Sequence, residues 1–311
     1  MSKLAFIFPG QGAQVVGMGK DLYDTYDLAK RRFAEADEAL GYPISKLCFE
    51  GPTDQLQLTE HTQPAILTVE VIAAELLQDA GIQPGIAAGH SLGEYAALVL
   101  AGVLTFQNAV LLVHRRGAYM QAAVPVGEGS MAAILGLDDA SIVEICSEAS
   151  HIGAVQAVNF NCPGQTVIAG TVSGVEKAVD LLKEKGAKKA VILPVSAPFH
   201  STLMEPAAKK LASELDKVTL RDAAFPVVSN YTGALQQSAA EIKENLIKQA
   251  DHPVRWIDCV NTMRAFGASI YLECGPGKTL AGFNKRIDKT LVTMNVEDVS
   301  SLQKTLDTLK K

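Results

Sequence analysis

The sequence predicts an α/β protein, a largely parallel sheet covered by helices with a smaller subdomain inserted into it. Three observations carry that class. Short apolar runs alternate with helical patterns through the first 127 residues, the rhythm of parallel strands joined by helical crossovers. The rhythm then changes to strand, helix, strand, strand, helix, strand over about 128–195, which is the split βαβ, or ferredoxin-like, order. Helices and strands alternate again afterwards. The expected division is a core of 1–127 and 196–311 and an insert of 128–195.

Leu4–Phe8 is an apolar run suited to a first strand, and it ends at the turn Pro9-Gly10-Gln11-Gly12. Helical patterns follow over about Tyr23–Leu40 and about Gln63–Ala80, the second closed by Gly81. Ile86-Ala87-Ala88 reads as a buried strand, Glu94–Leu100 as a helix, and about Phe106–Ala123 as a longer helix that stops before Pro125. Within the insert, strands are expected at Met131–Leu135, Val155–Asn159, Thr166–Ala169 and Ala190–Leu193. Its helices are Asp138–Ala149 and Ser173–Lys185, the latter opened by a capping-box-like Ser173-Gly174-Val175-Glu176. Beyond it come helix Glu205–Leu215, strand Pro226–Ser229, helices Ala239–Lys248 and Trp256–Phe266, and strand Ile270–Glu273.

Composition excludes several classes. A chain of 311 residues that is 48% hydrophobic and 20% charged has ample core for a large domain and a small one. A net charge of −6 argues against nucleic-acid binding, which wants a basic excess. No stretch approaches the roughly 18–20 apolar residues that span a bilayer, so no membrane partner is expected. The opening apolar run is too short for a secretory signal, and a cytoplasmic location is expected. The five cysteines are scattered and lack C-x-x-C, in keeping with reduced core residues. No metal-ligand spacing occurs and no cofactor is expected. Gly10-Gln11-Gly12 lacks the third glycine of a dinucleotide fingerprint, with Val15 in its place, and Gly277-Lys278-Thr279 has Leu272 where a P-loop needs glycine.

Chemistry concentrates at Gly89-His90-Ser91-Leu92-Gly93. It fits G-x-S-x-G, in which serine sits on a sharp strand-to-helix turn with its hydroxyl exposed. The required strand before it and helix after it are both present. A serine hydroxyl near pH 7 needs a base. Six histidines are available. His90 adjoins the serine but its side chain diverges at an elbow; His114 lies in an apolar helix and reads as a satisfied core residue. His61, His151 and His252 have no distinguishing neighbours. His200 follows Pro198 on the loop leaving the insert, a placement suited to reaching a pocket, and is the base chosen here. No acidic residue between 91 and 200 has a convincing loop setting, so a neutral acceptor such as a backbone carbonyl is expected to orient it.

At this point the motifs resemble a known family, the malonyl-CoA:acyl carrier protein transacylases of type II fatty-acid synthesis. The matches run end to end: Phe8-Pro9-Gly10-Gln11-Gly12-Ala13-Gln14, Thr62-Gln63-Pro64-Ala65, Gly89-His90-Ser91-Leu92-Gly93-Glu94-Tyr95, Arg116-Gly117 with Met120, Asn159-Phe160-Asn161 with Pro163-Gly164-Gln165, Pro198-Phe199-His200-Ser201, and Glu273-Cys274-Gly275-Pro276-Gly277. The resemblance implies an α/β-hydrolase-like core carrying the ferredoxin-like insert. It implies ping-pong chemistry in which Ser91 takes malonyl from malonyl-CoA, His200 acts as base, and the phosphopantetheine thiol of holo acyl carrier protein removes the acyl group. By the same resemblance the backbone N–H groups of Gln11 and Leu92 form the oxyanion hole and a backbone carbonyl near Gln249 orients His200. Arg116 would hold the malonyl carboxylate bidentately, with Met120 and Phe199 at the substrate pocket. Asn161 and Gln63 would be substrate-site polar groups standing behind the residues that touch it, structural turn or cap roles being the alternative for both. Phe199 is expected as a size filter favouring malonyl. The neighbouring Arg115 points about 100° away on a helix and is expected at the surface.

Three function classes compete: malonyl transfer, a water-using serine hydrolase, and a non-catalytic relative. Arg116 separates the first from the second, since a general esterase has no use for a buried cation. The Ser91/His200 pair argues against the third. A monomer is expected, with Lys285 and Arg286 as basic docking residues for an acidic carrier protein.

Overall fold

The computed structural model describes residues 3–195 and 197–310. Ser196, at the expected return from insert to core, and Lys311 lie outside the described residues. The elements begin with β1 (Lys3–Phe8), α1 (Lys20–Thr25), α2 (Asp27–Leu40), α3 (Ile44–Glu50), α4 (Thr53–Leu56), α5 (Thr59–Asp79), β2 (Ile86–Gly89), α6 (Gly93–Leu100) and α7 (Phe106–Ala122). Then come β3 (Gly129–Leu135), α8 (Asp139–Ala149), β4 (Val155–Cys162), β5 (Gln165–Thr171), α9 (Val172–Glu184) and β6 (Lys189–Ile192). The rest are α10 (Glu205–Leu215), β7 (Val227–Val228), β8 (Leu235–Gln236), α11 (Ala239–Asp251), α12 (Trp256–Ala265), β9 (Ala268–Cys274), α13 (Thr279–Ile287), β10 (Val292–Val296) and α14 (Val299–Leu309).

The described residues form a mixed α/β protein with two sheets. The described residues form a six-stranded sheet in the order β10-β9-β1-β2-β7-β8. Its pairings are parallel except for the edge hairpin β7–β8. β1 and β2 read as continuous apolar runs because both faces are covered. Phe6, Phe8 and Ala87 enter one core, while Ala5, Ile7, Ile86 and Ala88 enter the other. The second sheet is antiparallel, in the order β4-β5-β3-β6. Helices α8 and α9 cover one of its faces through Ile142, Val175 and Leu182 against Ala132, Ile134 and Ile168. Its other face, with Met131 and Val167, packs with Leu193, Val195 and Phe199.

Several local expectations are corrected. The helix expected over Tyr23–Leu40 breaks at Tyr26, which is extended (φ −118°, ψ 128°), and the segment starts earlier, at Lys20. The helix expected from Gln63 begins at Thr59, so Pro64 lies inside it. Proline leaves the carbonyl four residues back unpaired, and His114 Nδ1 bonds to that Glu60 oxygen at 3.0 Å. His114 is thus satisfied, but it is half-buried rather than a core residue. The cap of α9 is Thr171, whose side chain accepts from Gly174 N–H, rather than Ser173. β8, β10, α3, α4, α13 and α14 carried no recognised signal; most are short or lie at the edge of the fold.

Candidate active site

The elbow is built by steric exclusion. A Cβ on Gly89 would lie 1.9 Å from the Gly93 carbonyl carbon, and one on Gly93 would lie 2.3 Å from Phe8 O. Only glycine lets the end of β2, the start of α6 and the end of β1 approach this closely. Between them Ser91 is held at φ 53°. The other non-glycine residue with positive φ among the described residues is His200, at 62°. Strain of this kind persists where surrounding contacts over-determine it, and it gathers at functional sites.

These two residues meet. Ser91 Oγ lies 2.7 Å from His200 Nε2, and His200 Nδ1 lies 2.8 Å from the Gln249 carbonyl. That carbonyl is in the last turn of α11, and the residue four positions on is Pro253, which has no N–H to offer. A donor at Nδ1 leaves the Nε2 lone pair facing the serine hydroxyl. Burial, and then the nearby Arg116 charge, hold the imidazole down to about 3. It is therefore neutral at pH 7, able to take the serine proton.

Arg116 reaches the same point from α7. Gly117 permits this, because a Cβ there would meet Thr59 O at 2.5 Å. The close approach of α7 to α5 sets the guanidinium against Gln63, with Nη1 donating to Oε1 at 2.8 Å. Nη2 donates to Gln249 Oε1 at 2.9 Å and to Ser91 Oγ at 3.1 Å. The side chain is 2% exposed, and all three acceptors are neutral. Arg115 points away and pairs with Glu214, as its helical position requires.

Gln11, Leu92, Met120 and Phe199 line the same cavity, of about 110 Å³. That is well below the roughly 300–1,000 Å³ of a drug-sized pocket, and it suits a short acyl group. Among the described residues the backbone N–H groups of Gln11 and Leu92 have no hydrogen-bond acceptor, which leaves them free for an oxyanion. Met131, Val167, Leu193 and Val195 supply an apolar wall. Asn161 stands behind the cavity wall. It does not line the cavity but bonds to His90, Oδ1 to Nε2 at 2.8 Å, and so fixes a histidine on the cavity wall. Arg286 is occupied as well: it donates to Gln165 Oε1 at 2.6 Å and Pro163 O at 3.1 Å, tying α13 to the β4–β5 turn.

The acyl transferase domain family matches residues 5–302. The malonyl CoA-acyl carrier protein transacylase of Bacillus subtilis (strain 168) is 48% identical over 312 residues, covering 100% of this chain and 98% of the relative. The protein of the same name from Escherichia coli (strain K12) is 47% identical, covering 99% and 100%. The chain belongs to the malonyl CoA-acyl carrier protein transacylase family. Solved structures agree. An acyl-carrier-protein S-malonyltransferase from Burkholderia pseudomallei 1710b has a TM-score of 0.96 at 51% identity, covering 98% of this chain and 99% of that one. A malonyl-transacylase in complex with a type II PKS acyl-carrier protein has a TM-score of 0.96 at 45% identity, covering 99% and 100%.

Sequence reasoning about this family member missed three groups beneath the elbow. Glu94 is fully buried, and its carboxylate accepts from Asn230 N–H (3.1 Å), Gln249 Nε2 (2.7 Å) and Gln236 Nε2 (2.6 Å). Burial pushes it up to about 7. A charged residue in the otherwise apolar α6 was the available signal. Asn230 and Gln236 gave none, since isolated amides in a loop and a two-residue strand have no pattern.

Proposed function

We propose that the chain transfers malonyl from malonyl-CoA to the phosphopantetheine thiol of acyl carrier protein through a malonyl ester on Ser91. The observation that carries this reading is Arg116, a buried cation with only neutral acceptors, 3.1 Å from a serine that is itself 2.7 Å from a neutral imidazole. A buried charge needs a counter-charge, and a carboxylated acyl group on Ser91 supplies one. A general esterase would be hindered by such a cation.

In the first half-reaction His200 Nε2 takes the Ser91 hydroxyl proton as Oγ attacks the thioester carbon. The oxyanion forms against the Gln11 and Leu92 N–H groups. The C–S bond then breaks, and the CoA sulfur leaves with the proton from His200. In the second, His200 takes the carrier thiol proton, the sulfur attacks the malonyl ester, and Ser91 Oγ departs with that proton. The Gln249 carbonyl holds the imidazole in the required tautomer throughout. Met120 and Phe199 bound the acyl group, Gln63 orients Arg116, and Asn161 acts through His90.

The same reading takes residues 1–127 and 196–311 as an α/β-hydrolase-like core and 128–195 as a ferredoxin-like insert. The β6-β3-β5-β4 sheet order with two helices on one face supports the latter. A cytoplasmic monomer without bound cofactor is proposed, acting on neither nucleic acid nor membrane. The net charge of −6 supports the exclusion of nucleic acid. No described helix is long and apolar enough to cross a membrane. Of the proposed docking cations Lys285 is exposed on α13, and Lys285→Glu tests docking without breaking the Arg286 tie.

Intact mass after brief mixing with malonyl-CoA tests the reading. Wild type should gain one malonyl group, Ser91→Ala none, and holo carrier protein should discharge it. Steady CoA release into water with no adduct would establish a hydrolase instead.

A further inference from the structure

We propose that Asn230 is a positioning residue for the nucleophile, its carboxamide replacing the strand peptide that β7 fails to supply beside the elbow. The inference rests on the malonyl-serine reading above.

β2 and β7 pair in parallel through Ala87↔Val227 and Ala88↔Val228. Two residues further in the same register, Asn230 stands opposite His90. A residue in a parallel ladder donates to the carbonyl before its partner and accepts from the N–H after it. Opposite His90 those groups are Gly89 O and Ser91 N–H. By this point, however, β7 has ended. The Asn230 backbone is committed elsewhere, its N–H to Glu94 Oε2 at 3.1 Å and its carbonyl to Arg255 N–H at 3.1 Å.

The side chain makes both ladder bonds in its place. Nδ2 donates to Gly89 O at 2.7 Å, and Oδ1 accepts from Ser91 N–H at 2.6 Å. The amide has one workable orientation, because the flipped form would set oxygen against the Gly89 carbonyl and NH₂ against the Ser91 N–H. Asn230 is fully buried. On the other side of β2, His90 N–H donates to Phe8 O at 2.8 Å. The elbow is therefore clamped on both sides, and the clamp brackets the residue held at φ 53°. Glu94 fixes the Asn230 backbone and, through Gln249 Nε2, the amide whose oxygen holds Arg116. One buried carboxylate so ties the nucleophile's frame to the frame of the anion clamp.

Asn230 does not line the cavity, and the hydrogen bonds of Arg116 go to other residues. Loss of Asn230 should slow Ser91 attack equally for every acyl donor. In the full chain, Asn230→Ala is compared with wild type in single-turnover acylation by malonyl-CoA and, separately, acetyl-CoA. The rate constant should fall about 10- to 100-fold for both donors. The malonyl-to-acetyl ratio should stay at the wild-type value, and adduct per folded protein should still reach completion. A purely structural role would lower the melting temperature and the adduct amplitude but leave the rate constant of the folded fraction unchanged, and that result overturns the proposal. If Asn230→Ala does not fold, the isosteric Asn230→Asp sets an oxygen against Gly89 O and is read in the same way; a wild-type rate constant there is also fatal. Should wild type form no malonyl adduct, the transfer reading fails by itself. Modification of Ser91 by an uncharged sulfonyl fluoride then still reports whether Asn230 governs the hydroxyl.

Discussion

Replacing Arg116 by alanine removes the cationic side chain that lines the cavity among the described residues. A hydrogen bond to a charged group is worth about 1.5–3 kcal/mol net. A carboxylate that engages the guanidinium through two N–H groups gains about twice that, 3–6 kcal/mol. Part is offset, since the guanidinium must give up its 3.1 Å bond to Ser91 Oγ. About 2–4 kcal/mol remains in favour of malonyl over acetyl, or roughly 30- to 1,000-fold. The assay is competitive loading of Ser91 from an equimolar mixture of malonyl-CoA and acetyl-CoA, read by intact mass. Arg116→Ala should lower the malonyl-to-acetyl ratio by that factor, chiefly through loss of malonyl. Arg116→Lys should fall between, because it keeps the charge and loses the planar fork. An Arg116→Ala enzyme that still acylates Ser91 with the wild-type preference would refute the assignment.

Further outcomes follow from the elbow and its buried charges. Gly89→Ala places a methyl group inside backbone, so it should cost about 1–3 kcal/mol or more in denaturant unfolding and abolish acylation; retained activity would show that the turn can widen. His200 titrates near 3 when folded and near 6.5 when unfolded, so the unfolded state binds more protons between those values and wild type loses stability as pH falls through them. Relative to His200→Asn the loss should reach about 2 kcal/mol by pH 5, and parallel stability curves would contradict the buried, neutral imidazole. Glu94 has the opposite sign: raised from 4.5 to about 7, it binds its proton preferentially in the folded state, so its contribution lowers stability as pH rises from about 4.5 to about 7. The stability of Glu94→Gln relative to wild type should rise across that window by about 3 kcal/mol and level off above it; a constant difference would mean that burial does not control this carboxyl.

The parts legible in the sequence share a cause. Gly89, Gly93 and Gly117 are required by backbone contacts that leave a fixed spacing, and β2 and β1 from Leu4 onward are apolar because both faces are covered. The order of elements over 129–192 was legible because each of its strands is bounded by a turn or a helix cap. Other features depend on contacts between distant segments. Asn161 was legible as a polar group near the pocket, but its partner His90 lies 71 positions away. Asn230 reaches Ser91 across 139 positions, and its role exists only because β7 stops after two residues. The break at Tyr26 is likewise invisible to periodicity, since the pattern on either side continues in phase.

One apolar wall of the cavity is carried by a separate stretch of chain. Met131, Val167 and Leu193 belong to the 129–193 segment or its exit, whereas Ser91, Arg116 and Gln249 stand on the larger sheet and its helices. One wall of the cavity and the nucleophile are therefore written in different passages of the polypeptide, while Met120 and Phe199 complete the apolar lining from outside that segment. Drift in that wall can reshape the cavity while Ser91 and Arg116 are inherited intact, which gives a lineage a way to alter its pocket without rebuilding its nucleophile.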